Sequence, residues 1–247
     1  PVRARLFSIE MHPGLCYNTP KEICRRTAPS EEIAMQHIIQ ETLTRHPELS
    51  SLSNDIGRAV QMIVDCHLHK NKVLTCGNGG SAADCEHIVG ELMKAFRLPR
   101  HLEPEQQERI RSLYPEDAEL LIANLQRAVP AISLASQTAL MTAFGNDVSS
   151  QMLFAQQVLS YGRPGDVLLA ISTSGNSPNI LYAAQVARMQ GVEVIALTGQ
   201  SGGKLKQYSD IAICVPSSIT YQIQEYHLPI YHCMCACVEN ELFGEDL

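Results

Sequence analysis

The sequence predicts an α/β fold, a three-layer sandwich with helices on both faces of a central parallel sheet of about five strands. Three observations predict it. Short unbroken apolar runs alternate along the chain with helical patterns. A run such as Val167–Ile171 is too short for a helix and suits a strand buried on both faces. Two of these runs pass directly into Gly- or Ser-rich loops that lead into helix starts, which places two helix N-termini at the carboxyl edge of one sheet. The 247 residues, 45% of them apolar, are enough for a real core.

In chain order, residues 1–29 show no sustained period and are broken by His12-Pro13-Gly14 and Thr19-Pro20. They read as a poorly ordered extension ahead of a domain spanning 30–247. A helical pattern runs from Ser30, a plausible cap, to about Arg45. A second runs from about Ser53 to His69, with Ile56, Val60, Ile63, Val64 and Leu68 on one side. Lys72–Cys76 is the first strand, Gly77-Asn78-Gly79-Gly80-Ser81 its loop, and a helix follows from about Ala82. Residues 97–127 are polar and punctuated by Pro99, Pro104 and Pro115, so they read as an insertion, helical in two pieces and either a solvated flap or a lid. Strands at Val129–Leu134, Val167–Ile171, Val192–Leu197 and Ile211–Val215 come after it. Between them lie a turn at Gly145-Asn146-Asp147, a short helix over Gln151–Ser160 and a helix from Pro178. The last helix runs from about Tyr221 to Glu241.

The loop Ser172-Thr173-Ser174-Gly175-Asn176-Ser177 carries the first functional signal. Ser177-Pro178 is a cap followed by a first helical turn, where proline leaves no donor wanting. Hydroxyls and free backbone N–H groups together make an anion cradle, and phosphate is the expected anion. A cap and turn of this kind often has no ligand, but the Gly77–Ser81 loop offers a second such N-terminus. Neither loop is G-x-x-x-x-G-K-[ST] or G-x-G-x-x-G, so nucleotide binding has weak support.

Composition excludes other classes. The formal charge of −7 argues against nucleic-acid binding through a basic face. No stretch approaches the ~20 apolar residues of a membrane span, and the first ten residues lack the apolar core of a secretory signal. Cys66, Cys76, Cys85 and Cys214 lie in apolar patterns, as in a reducing cytoplasm. Cys233-Met-Cys-Ala-Cys237 is on a helical pattern where only Cys233 and Cys237 share a face, so it reads as core packing rather than a metal site.

His87 and Glu91 are four apart and share a helix face. Alone, that spacing is more often an ordinary ion pair than a metal site, though it can serve either. Gln224 and His232, eight apart on the last helix, are separated by about 12 Å of axis. They reach one ion only with extended side chains or a bend, for which Pro229 is placed.

With both loops in view, Cys76-Gly-Asn-Gly-Gly-Ser81 and Ile171-Ser-Thr-Ser-Gly-Asn-Ser177 resemble the sugar isomerase (SIS) domain, specifically the phosphoheptose isomerase family. The likeness extends from about Glu31 to the C-terminus apart from the insertion. It implies zinc, one ion per chain, held by His87, Glu91, Gln224 and His232, with Glu91 and His232 as the proton-transfer pair. It assigns the sugar phosphate to Ser81, Ser172, Thr173, Ser174 and Ser177, with Asn78, Gly79, Gly80, Asp147 and Gln224 completing the substrate site. It further implies isomerisation of sedoheptulose 7-phosphate through an enediol, in heptose biosynthesis for surface carbohydrate, by a homotetramer whose N-terminal helices pack between subunits.

The family's usual Ala-Asp-Arg before Ile-Gln-Glu is replaced by Thr220-Tyr221-Gln222, which leaves the identity of the sugar open. An isomerase of another phosphosugar is therefore the nearest alternative. A non-catalytic adaptor of the replication-initiator-associating type would lack the Glu91 and His232 equivalents, which are present. A sugar-phosphate-sensing regulator would carry a helix-turn-helix region, for which no pattern exists.

Overall fold

A computed structural model describes residues 29–244 of the chain. The expected extension over residues 1–29 lies outside them except for its last residue.

Five parallel strands, β1 (Val73–Cys76), β2 (Ala131–Ser133), β3 (Val167–Ser172), β4 (Glu193–Thr198) and β5 (Ile211–Cys214), form one sheet in the order β2-β1-β3-β4-β5. The strand order reverses between β1 and β3, which pair Val73 with Val167 through Cys76 with Ala170. Ligands of open parallel sheets bind outside the carboxyl ends of strands at such a reversal. The loops after β1 and β3 are the two that the sequence singles out. At the opposite edge, buried Asp166 accepts from the backbone N–H groups of Lys72 (3.0 Å) and Arg163 (2.8 Å) and pairs with the Lys72 ammonium. It thereby holds the starts of both strands together.

Period-two alternation divides the strands between two cores. Val73, Leu169, Ile171, Ile195 and Leu197 face α2 (Ser53–Leu68), α3 (Gly80–Met93) and α9 (Thr220–Phe243), with α1 (Pro29–Arg45) packed on α2 and α9 outside them. Leu74, Leu168, Ala170, Val194 and Ala196 face α7 (Leu153–Tyr161) and α8 (Pro178–Met189). The expected three-layer sandwich is therefore the observed one.

Several local expectations need correction. Leu68 is 45% exposed because the helix ends there, beyond the core stripe of Ile56, Val60, Ile63 and Val64. The first helix starts at Pro29, so Ser30 lies inside it, and α3 starts at Gly80 rather than Ala82. Gly145–Asp147 is the first part of a wide helical turn, Gly145–Ser149, that continues a helix α6 (Thr138–Phe144) absent from the sequence reading. Among its residues none is buried, so it carries no apolar stripe to announce it. The polar insertion contains α4 (Pro104–Leu113) and α5 (Ala118–Asn124). Cys66, Cys76, Cys85, Cys233, Cys235 and Cys237 are buried and unbridged, whereas Cys214 is half-buried. Burial pushes the Cys85 and Cys235 thiols up to about 12, which keeps them protonated.

Candidate active site

The β3–α8 loop folds as a cradle because its main chain is committed to it. Gly175 takes φ 63°, and a Cβ there would collide with the Gly202 carbonyl, so glycine is required. The Leu205 N–H donates to the Gly175 carbonyl (2.9 Å) and the Gly199 N–H to the Thr173 carbonyl (3.0 Å), which pins the loop on its neighbour after β4. Ser172 and Ser177 hydroxyls meet at 3.2 Å across the turn, and the Ser174 hydroxyl accepts from the Asn176 N–H at 3.1 Å. Among the described residues, the backbone N–H groups of Thr173, Ser174 and Ser177 donate to no protein acceptor. An open pocket of about 390 Å³ lies against Thr173, Ser174 and Asn176, with Ser217, Ser218 and Ile223 opposite.

The β1–α3 loop joins this cradle through one reciprocal pair. The Asn78 amide donates to the Asn179 carbonyl oxygen at 2.9 Å, and the Asn179 amide returns a bond of 2.8 Å. Ser81 is buried at the foot of α3, while Asn78, Gly79 and Gly80 are exposed. The Gln224 amide packs on Gly80 so closely that a Cβ there would be 2.6 Å from its nitrogen.

Two turns further along both helices lies a polar cluster. His87 Nε2 is 3.4 Å from Glu91 Oε1 on the same face of α3 and 3.4 Å from His232 Nε2 on α9. Glu91, only 9% exposed, gives its other oxygen to the Lys94 ammonium at 2.9 Å. His87 Nδ1 meets the Tyr231 hydroxyl at 3.0 Å, and that hydroxyl donates to Asp84 Oδ1 at 3.3 Å. A hydroxyl spent on the carboxylate accepts from Nδ1–H, which leaves the Nε2 lone pair of His87 facing His232 and Glu91. Burial, and next the nearby His87, hold the His232 imidazole below its ordinary value, so it is neutral at neutral pH. Burial raises the Asp84 carboxyl, whose Oδ2 has no partner.

The structure thus unites His87, Glu91 and His232, and separately Ser172, Thr173, Ser174 and Ser177 with Asn78. It does not bring Gln224 onto the histidines, as the axial distance along α9 forewarned. Asp147 is exposed, and its side chain accepts from the Asn146 amide at 2.8 Å. Tyr231, Lys94 and Asn179 are additions. Asn179 could have been found from its place two residues after the cap, but a tyrosine inside an apolar helix face gave no signal.

The chain has relatives among known proteins. The family model described as SIS domain matches residues 39–109 and 121–199. A phosphoheptose isomerase of Shewanella loihica is 38% identical over 213 residues, covering 85% of this chain and 93% of that protein. One from Shewanella oneidensis is 37% identical, covering 82% and 91%. The chain belongs to the phosphoheptose isomerase family. The solved phosphoheptose isomerase of Neisseria gonorrhoeae superposes with a TM-score of 0.64 at 31% identity, covering 86% of this chain and all of that one. That of Francisella tularensis gives 0.63 at 31% identity, covering 86% and 99%. Membership of a family of isomerases makes this chain an isomerase. No helix among the described residues is long and apolar enough to cross a membrane.

The family likeness implies zinc. Ligands at 2.0–2.2 Å in a tetrahedron stand about 3.4 Å from one another. The His87–His232 and His87–Glu91 separations, both 3.4 Å, match two edges of such a figure. Imidazoles and a carboxylate, with the outer nitrogen of His87 held by Tyr231, are zinc's ordinary donors. Among the described residues no three His, Cys, Asp or Glu side chains are already gathered around one metal position. The match is therefore one of donor chemistry and of two edges.

Proposed function

We propose that this chain interconverts sedoheptulose 7-phosphate and D-glycero-D-manno-heptose 7-phosphate through an enediol. One observation carries the proposal: Glu91 and His232 converge on His87 about two to three turns along the helices whose first turns adjoin the phosphate-grade loops. Ile223, beside the cradle, and His232 are nine residues apart on α9, roughly 13 Å of helix. An open-chain heptose phosphate with its phosphate in the cradle extends its carbonyl end toward the cluster over a comparable length.

In this reading Ser172, Thr173, Ser174, Ser177 and Ser81 hold the phosphate. The Glu91 carboxylate takes the proton from C1 of the ketose and returns it to C2, and neutral His232 moves the hydroxyl proton between O1 and O2. Lys94, 2.9 Å from the second oxygen of Glu91, orients the carboxylate. Zinc bound by His87, Glu91, Gln224 and His232 would supply positive charge against the oxyanion that develops. Gln224 would have to leave Gly80 to join that set. A cytoplasmic homotetramer working in heptose biosynthesis for surface carbohydrate completes the proposal.

One observation favours a second reading, an isomerase of another phosphosugar. Where the family has a charged Asp-Arg pair, Tyr221 is exposed and Gln222 accepts from the Ser217 hydroxyl at 3.0 Å beside the cradle. Assaying the purified chain with zinc against sedoheptulose 7-phosphate and a panel of other ketose phosphates decides between them. Turnover of the heptulose phosphate is expected. Turnover of a pentulose or hexulose phosphate alone supports the second reading, and none with any substrate supports the adaptor.

A further inference from the structure

A fully buried charge pair lies outside the groups named so far. Arg100 and Glu239 are 2% and 1% exposed, and every polar atom of both side chains is engaged. Glu239, near the end of α9, accepts from the Arg100 Nε at 2.7 Å. It also accepts from the backbone N–H groups of Phe96 (2.8 Å), Arg97 (2.6 Å) and Leu98 (3.1 Å). The guanidinium fork of Arg100 donates through Nη1 to the Leu92 carbonyl (2.7 Å) and through Nη2 to the Glu91 carbonyl (2.9 Å). Its plane lies over the Phe243 ring, 4.8 Å from the centroid.

The last carbonyls of a helix lack intrahelical partners. In α3 two of them, including that of Glu91, are fixed by Arg100, which α9 holds in turn. A buried ion pair is a poor means of adding stability, because apolar side chains of similar size do as well or better. Its distinctive property is geometric, since a planar fork sets the direction of several acceptors at once.

We propose that Arg100 and Glu239 are positioning residues for the isomerase site. They lock the turn of α3 that bears Glu91 against α9, which bears His232, and so fix the separation of the two proton-transfer groups. The inference rests on the reading of Glu91 and His232 as that pair. Lysine at position 100 keeps a cation against Glu239 but cannot serve two helix carbonyls and the carboxylate together.

The test uses the full chain with zinc and compares Arg100→Lys, which leaves the buried charge paired, with Arg100→Met/Glu239→Gln, which removes both charges and keeps an acceptor for the strap at 96–98. Both are expected to lower kcat by roughly tenfold or more, as a small misplacement of reacting groups does. KM should stay within about threefold, because phosphate is held elsewhere. Imidazole NMR signals of His87 and His232 should shift in both variants, a readout that needs no turnover. Glu91→Gln is the control that separates the two ideas: an active Glu91→Gln sinks the reading of the base, whatever Arg100 does. A folded Arg100→Lys with wild-type kcat and unshifted imidazole signals overturns the positioning role. So does recovery of full kcat in the double variant, which would leave the pair a purely structural one.

Discussion

The cradle and the histidine cluster are built in opposite ways. The cradle comes from one contiguous segment, residues 172–177, and is shaped by main-chain bonds and a glycine in the left-handed region. The cluster joins side chains 145 residues apart, from α3 and α9, and depends on how those helices pack. A binding site shaped by the backbone loses only the bond of the side chain removed, whereas a catalytic one made by packing loses its geometry. Substitutions should therefore separate binding from turnover.

Glu91→Gln should have the largest effect. It preserves size and hydrogen bonding but removes the base, so kcat should fall by roughly 10²–10⁴. Calorimetric affinity for the phosphosugar should hardly change, and a parallel loss of affinity would show that the two regions are not separable.

His227 lies on α9 between the two regions, fully buried and without a hydrogen bond at either ring nitrogen. Burial lowers its pKa to about 4, against the opposing pull of the Thr198 backbone, whose approach to the ring falls short of hydrogen-bond geometry. The unfolded chain then binds more protons between its ordinary value of about 6.5 and that of the folded state, so stability is complete above pH 6.5 and declines toward pH 4. The loss should approach about 3 kcal/mol, read from urea midpoints across that range. His227→Leu should flatten the slope.

Tyr231→Phe removes the hydroxyl between Asp84 and His87 Nδ1. If zinc binds as proposed, its affinity in a chelator competition should weaken by about 10–100-fold, the usual cost of losing an outer partner of a ligand histidine. Identical zinc affinity would mean that the hydroxyl does not orient the ring. Thr173→Val deletes one hydroxyl from the cradle and should weaken phosphosugar binding by roughly tenfold, with kcat at saturation retained. The smallest effect is expected from Asn78→Ala, which breaks an exposed bridge between the loops. It should weaken binding by less than about tenfold, and a loss as large as that of Thr173→Val would make the bridge part of the cradle.

The same contrast explains what could be read from the sequence. The strands, the loop over residues 172–177 and the order of layers follow from local apolar runs and cap residues, and all are in place. His87 and Glu91 share a face by spacing alone. His232 needed a family resemblance to join them, because packing between distant helices leaves no local trace. Tyr231 and Arg100 left none at all: one is a tyrosine in an apolar stripe, the other an arginine in a segment that looks solvated throughout. Helix α6 escaped for the converse reason, having no buried face to impose a period.

The neck of the polar insertion has a consequence for how this chain can change. The Arg127 N–H donates to the Arg100 carbonyl at 2.9 Å, so the segment leaves and re-enters the domain at neighbouring points. The Gln126 side chain, which accepts from the Ala95 N–H at 2.8 Å, ties the neck to the end of α3, and beyond these ties added length is cheap, since doubling a closed loop costs only about 0.6 kcal/mol. Exchange of 104–125 for a short glycine-serine turn, which keeps Leu102, Glu103 and Gln126, should leave the thermal midpoint and the isomerase site intact. The segment is thus a place where a lineage can add or discard sequence without rebuilding the enzyme.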